Sequence, residues 1–176
     1  MTRRMVLTIA GILLLVACRD DEAAKPTPVE MTDEALGYYC QMNIAEHDGP
    51  VAQIFRAGFD QPIWFSQVRD AIAYTRSPEE TDDVTAFYVS DMGDGTTNTR
   101  PDTITWADAE GARFVIESEQ AGGMGAPEAI PFAEPASAST FAAANGGRVV
   151  TLAEIPDAYV LAPVDISGPA SAELGQ

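Results

Sequence analysis

Ile63-x-Phe65, Ala71 and Tyr74 recur 67 residues further on as Ile130-x-Phe132, Ala138 and Phe141. Each time a short β-type run ends in Phe and leads into a helical run that packs an aromatic. A chain that spells the same strand-to-helix step twice is built for two small, similar α+β units rather than one β-sandwich. The surrounding pattern predicts strands over 51–55 and 61–65, joined by a turn at 57–60. A helix over 68–74 follows, with Val68, Ala71 and Ile72 on one face, then a β-rich run over 85–90 and a turn at 94–98. Further strands are predicted over 113–116, 128–132 and 148–152, with an Ala-rich helix over 133–144 that Asn145-Gly146-Gly147 caps.

The first residues read as targeting, not structure. Arg3 and Arg4 precede an apolar run from Met5 to Val16, broken only by Thr8 and Gly11. Such a run falls short of the roughly 20 residues that span a bilayer and has the length of a signal-peptide core. It ends Leu15-Val16-Ala17-Cys18, which resembles a bacterial lipobox. Signals of that kind are cut before the cysteine, whose thiol then carries a diacylglycerol. The alternative is an ordinary secretory signal that leaves Cys18 free. The expected division is a lipoprotein signal at 1–17, a flexible polar tether at 18–33, a folded body at 34–162 and a disordered tail at 163–176. The body splits into units at roughly 34–95 and 96–162. A lipid anchor at Cys18 places the domain at the periplasmic face of a bacterial membrane. Arg19, not aspartate, follows Cys18, so the usual inner-membrane retention signal is absent and the choice of membrane stays open.

Export changes the meaning of the two cysteines. Together they would suggest one disulfide. With Cys18 acylated, Cys40 has no intramolecular partner, and an unpaired thiol in an oxidising compartment needs to be buried or occupied. Cys40 stands two residues before Met42, and in an extended segment both would face one side. Paired thiol and thioether sulfurs suit a soft ion, above all Cu(I). His47, the only histidine, follows within seven residues, just ahead of Gly49-Pro50. Met124, in Gly122-Gly123-Met124-Gly125, cannot be held by helix or strand packing and is a further soft-ligand candidate. The competing reading makes Cys40 a small buried hydrophobe and Met42 a core filler.

Two of the ten basic residues, Arg3 and Arg4, leave with the signal, so the exported chain carries eight against 27 acids. That balance argues against nucleic acid and against docking on anionic lipid, and suits cations or a basic partner surface. Enzyme signatures are missing: there is no G-x-S-x-G, no H-E-x-x-H and no phosphate loop with a lysine. A Cys40–His47 nucleophilic pair remains as an alternative, without an evident orienting group or oxyanion hole.

Tyr39-Cys40-Gln41-Met42 followed by Glu46-His47-x-Gly49-Pro50-x-x-Gln53-Ile54 resembles the signature of the NosL family of nitrous-oxide reductase accessory lipoproteins. The resemblance continues through Phe87-Tyr88-Val89-Ser90-Asp91, then Gly123-Met124-Gly125 with Ile130-Pro131-Phe132, and on to Phe141 and Gly146-Gly147. It implies a lipid-anchored Cu(I) chaperone, not an enzyme, that supplies the catalytic copper–sulfur centre of nitrous-oxide reductase directly or through its membrane assembly apparatus. It implies a pair of ββαβ units like those of organomercurial lyase. It also assigns the metal to Cys40, Met42 and Met124, with His47 at the family's E-H-x-G-P position; His47 or Met124 completes the site. A lipid-anchored enzyme using Cys40 as nucleophile and a non-catalytic structural lipoprotein are the alternatives.

Overall fold

Val51 to Phe55 are all buried, so β1 (Ala52–Arg56) is a central strand covered on both faces. In the computed structural model, which describes residues 24–80, 82–93 and 103–163, it lies between β2 (Ile63–Phe65) and β3 (Val84–Ser90). A fourth strand, β4 (Trp106–Asp108), pairs with the far edge of β3, giving the order β2-β1-β3-β4. All pairings are antiparallel, with Ile54 opposite Ile63 and Phe87. α1 (Val68–Arg76) intervenes between β2 and β3, and its buried Val68, Ala71, Ile72 and Tyr74 pack against Ala52, Ile54 and Phe65.

The second sheet repeats the order of the first three strands. β5 (Arg113–Ile116) is central, flanked by β6 (Ile130–Phe132) and β7 (Arg148–Val150), with α2 (Pro135–Asn145) between β6 and β7. Phe114 and Ile116 join the core shared with α1 and the first sheet, whereas Val115 faces Ile130, Phe132 and Ala138 on the α2 side. The recurring residues sit at matching places: the Phe65 and Tyr74 ring centroids are 5.5 Å apart, those of Phe132 and Phe141 5.2 Å. Ala71 and Ala138 are both fully buried. α2 ends where Gly146 and Gly147 take φ of 72° and 87°, as the C-cap pattern predicted. A short α3 (Asp157–Leu161) closes the core through Val160, and Arg69 donates to the carbonyls of Val160 and Ala162 at 3.4 and 2.6 Å.

Two expectations need correction. The segment assigned to a flexible tether is, from Lys25 onward, bound to the outer face of the first sheet. Val29 exchanges backbone bonds with the Gln53 side chain at 3.0 Å in both directions, the Tyr88 hydroxyl donates to the Pro26 carbonyl at 2.6 Å, and Lys25 contacts Asp108. Met31 is buried with Ile44 and Val51. This strap is what covers the second face of β1, and a polar Gln53 is tolerated at zero exposure because its amide is satisfied by that backbone. Second, the division at 95 and 96 is misplaced, since β4 belongs to the first sheet and ends at Asp108. Cys18, the turn at 94–98 and residues 164–176 lie outside the described residues.

Candidate metal centre

Gly37 bridges to Trp64 of β2, and the Tyr38 N–H donates to the Trp64 carbonyl at 2.7 Å, so this run is laid beside the strand. The chain then turns. Gln41 N–H reaches the Gly37 carbonyl at 2.8 Å, and the Gly37 N–H reaches that of Met42 at 3.0 Å. Gln41 takes the left-handed φ of 56°, held by its side-chain amide on the Tyr38 and Gly37 carbonyls at 2.6 and 3.3 Å. A non-glycine residue in that region costs on the order of 1 kcal/mol, offset by those bonds. The extended reading of the segment is therefore corrected. A left-handed residue between Cys40 and Met42 breaks the strand alternation that would have set both sulfurs on one face. Cys40 turns inward and is half-buried; Met42 stays exposed.

Aromatic rings anchor the base of this turn. Tyr38 packs on Phe65 and Tyr74 at centroid distances of 5.8 and 5.5 Å, and Tyr39 on Phe65 at 5.6 Å. The Tyr39 hydroxyl donates to Glu80 at 3.3 Å. Partial burial, with Glu80 beside it, pushes the Tyr39 phenol up, so it remains a neutral donor. At Gly37 a Cβ would come within 2.5 Å of Cys40 Sγ; the bare backbone makes room for the thiol.

Ser66 follows β2 by one residue and is 4% exposed. Its Oγ lies 3.3 Å from Cys40 Sγ and donates to Met124 Sδ at 3.7 Å. These two distances cap the separation of the sulfurs at 7.0 Å. A cysteine and a methionine 84 positions apart thus meet over one buried hydroxyl.

Met124 lies in neither helix nor strand, as its flanking glycines led one to expect, and is carried by a closed turn. Gly122 N–H donates to Ala126 at 2.9 Å, Gly125 N–H to Gly122 at 2.8 Å, and Ala121 bridges to Pro127. At Gly123 any Cβ would collide with the Asp48 carbonyl oxygen and lie 3.3 Å from His47 Cβ. Only glycine lets the turn close onto residues 47–48, and this close approach sets His47, itself half-buried, beside the residue before Met124. The same turn rests on Gln67 and Glu128 through Gly122. The buried Glu128 carboxyl is pushed up to about 8 by burial, against the pull of the backbone N–H groups it accepts.

The structure brings together Cys40 and Met124 through Ser66, and His47 against the Met124 turn. Met42 is on the Cys40 turn with its side chain at 38% exposure. Met92, by contrast, packs with Val115, Ile130 and Phe132, and Met31 is in the core beneath the strap. Among the described residues no three His, Cys, Asp or Glu side chains converge on a common point. The donors assembled are sulfur, which suits soft cations rather than calcium, magnesium or a nitrogen-and-oxygen zinc site. Ser66 escaped the sequence reading because a serine just before a helix ordinarily signals a cap. Its actual partners are distant in sequence.

A family model described as NosL matches residues 28–160. The chain is 50% identical over 163 residues to the copper-binding lipoprotein NosL of Achromobacter cycloclastes, covering 92% of this chain and 84% of that protein. It is 30% identical over 159 residues to the copper-binding lipoprotein NosL of Stutzerimonas stutzeri, covering 87% and 81%. Its backbone matches the crystal structure of the copper chaperone NosL from Shewanella denitrificans with a TM-score of 0.68 and 26% identity, covering 76% of this chain and 98% of that one. None of these names describes an enzyme.

Proposed function

The chain belongs to the NosL family, and on that premise we propose that it is a lipid-anchored copper chaperone that carries Cu(I) at the periplasmic face of a bacterial membrane. The observation that carries the reading is the convergence of Cys40 and Met124 on one buried hydroxyl, with Met42 on the same turn as the cysteine. One thiolate and one or two thioethers hold a soft monovalent ion while leaving its coordination sphere incomplete. Met42 is the neutral ligand nearest Cys40 in the chain, and Met124 or His47 completes a three-coordinate site. Relatives named as copper-binding lipoproteins and a copper chaperone support the same cargo.

Exposure supports delivery rather than storage. Met42 and Met124 are 38% and 41% exposed, and Leu36 and Tyr39 on the cysteine's turn are 50% and 47% exposed. A partner's ligand can reach such a metal, whereas a closed four-ligand site would retain it. The recipient in this reading is nitrous-oxide reductase or the membrane apparatus that assembles its catalytic copper–sulfur centre. The anchor is a diacylglycerol on Cys18. The acidic surface, with Glu34, Glu46 and Asp48 exposed near the site, complements a basic recipient. The two runs of strand, strand, helix and strand are read as ββαβ units of the organomercurial lyase type.

Deleting the gene tests delivery. At limiting copper the reductase polypeptide should be present with its catalytic centre short of copper, and Cys40→Ser should behave like the deletion. Full metallation of that centre in the deletion strain would overturn delivery.

A further inference from the structure

Ser66 is a buried hydroxyl with a sulfur on either side, and no role in holding metal has been assigned to it. We infer that Ser66 is a positioning residue of the metal site, whose hydroxyl holds the Met124 thioether turned inward opposite the Cys40 thiol. The inference rests on the copper reading for its consequence, though not for its geometry.

A hydroxyl has one proton. Ser66 donates it to Met124 Sδ at 3.7 Å, so its contact with Cys40 Sγ at 3.3 Å is made by the thiol proton donating to Oγ. That is the arrangement in which a single O–H serves both sulfurs. Ser66 is placed to hold a position: it is 4% exposed and sits between the end of β2 and the start of α1. Met124 needs holding, since its side chain is 41% exposed on a turn of glycines and otherwise keeps its rotamer freedom. When Cu(I) enters, the Cys40 proton leaves to solvent, a copper–sulfur bond forms in its place, and the Met124 lone pair turns from the hydroxyl to the metal. The Ser66 proton is then free to donate to the metal-bound thiolate. Ser66 has a partner before and after binding without being a ligand.

The test uses the full exported chain with 13C-methyl methionine labelling and Cu(I) itself. In metal-free wild type the Met124 methyl should show a cross-peak to Ser66 β-protons and a shift away from that of free methionine. Ser66→Ala should move that methyl to the free position, and Ser66→Thr should restore it. Cu(I) affinity, by chelator competition, should fall roughly 2- to 10-fold in Ser66→Ala, the worth of one hydrogen bond, and recover in Ser66→Thr. In a Met124→Leu background the same Ser66→Ala change should have little further effect, because the hydroxyl acts through that thioether. A purely structural serine would lower stability without this coupling. Absence of the cross-peak in wild type overturns the inference without any variant. Wild type that binds Cu(I) while Ser66→Ala matches it in affinity and methyl shift ends the inference alone. Wild type that binds no Cu(I) ends the copper reading, with the methyl experiment still deciding the geometry.

Discussion

Arg69 donates its backbone N–H to Glu128 Oε1 at 2.7 Å, so the first turn of α1 is capped by a carboxyl from the approach to β6. The same oxygen takes the Ala129 N–H at 2.8 Å, while Gln67, at the N-cap position, makes no side-chain cap of its own. Glu128 Oε2 and Gln67 Nε2 are buried beside Gly122, each without a hydrogen-bond partner among the described residues. One carboxyl therefore ties the start of the helix that follows Ser66 to the segment that leads from the Met124 turn into β6.

That carboxyl predicts a pH dependence. Burial raises Glu128 from the ordinary 4.5 to about 8, and Asp70, also pushed up by burial, adds like charge nearby. Between those values the folded chain binds a proton that the unfolded chain does not. Its contribution is complete below 4.5 and is lost as pH rises through 8. From pH 6 to 9, wild type should lose about 2–3 kcal/mol of stability that Glu128→Gln does not. Urea denaturation across that range measures it; parallel profiles would contradict the burial of an ionisable Glu128.

Gly123→Ala should disturb both stability and metal binding. The added Cβ meets the Asp48 backbone oxygen, which cannot swing aside as a side chain would. A cost of about 1–3 kcal/mol is expected, with Cu(I) affinity reduced because Met124 is displaced. Gly58→Ala is the control: its φ of 82° is strained for alanine, nothing lies within 4 Å, and copper affinity should be unchanged. Equal effects of the two on copper would show that the turn does not depend on its seat against residues 47–48.

The strap should be part of the fold. Met31→Ala, at a site 3% exposed among Ile44 and Val51, should cost about 2 kcal/mol in chemical denaturation. A free tether would tolerate the change without effect.

The two aromatic pairs should behave alike. Phe65→Ala and Phe132→Ala should each destabilise by about 3–5 kcal/mol. Double-mutant cycles of Phe65 with Tyr74 and of Phe132 with Phe141 should return couplings of about 0.5–1.5 kcal/mol in both units. Coupling in one pair and none in the other would mean that the repeated residues do not play equivalent parts.

The parts legible in the sequence were those written in local period or repeated. Val68, Ala71 and Ile72 marked α1, the run Arg113–Ile116 marked β5 with its observed bounds, and Gly146-Gly147 marked the end of α2. β4 was missed because three half-exposed residues, Trp106–Asp108, carry no alternation long enough to read. The strap was read as tether because its bonds to the Gln53 amide leave no hydrophobic signature, and Val29 and Met31, the apolar side chains it packs on the sheet, are too few to write a period. At the site, residue types were legible and arrangement was not. Cys40, Met42, Met124 and His47 stood out by scarcity or setting. The turn at Gln41 and the bridge through Ser66 depend on Trp64 carbonyl pairing with residues 37–38, a contact between segments that local pattern cannot express.

Chelator competition for Cu(I), run anaerobically on the exported chain and its Cys40→Ser variant, tests the central claim most directly. Wild type should bind one Cu(I) per chain, with copper absorption spectra showing sulfur ligands. Cys40→Ser should lose nearly all of that affinity, and Met42→Leu or Met124→Leu only part, since a neutral donor contributes less than a thiolate. A Cys40→Ser protein with full affinity, or a copper site of nitrogen and oxygen alone, would contradict the account.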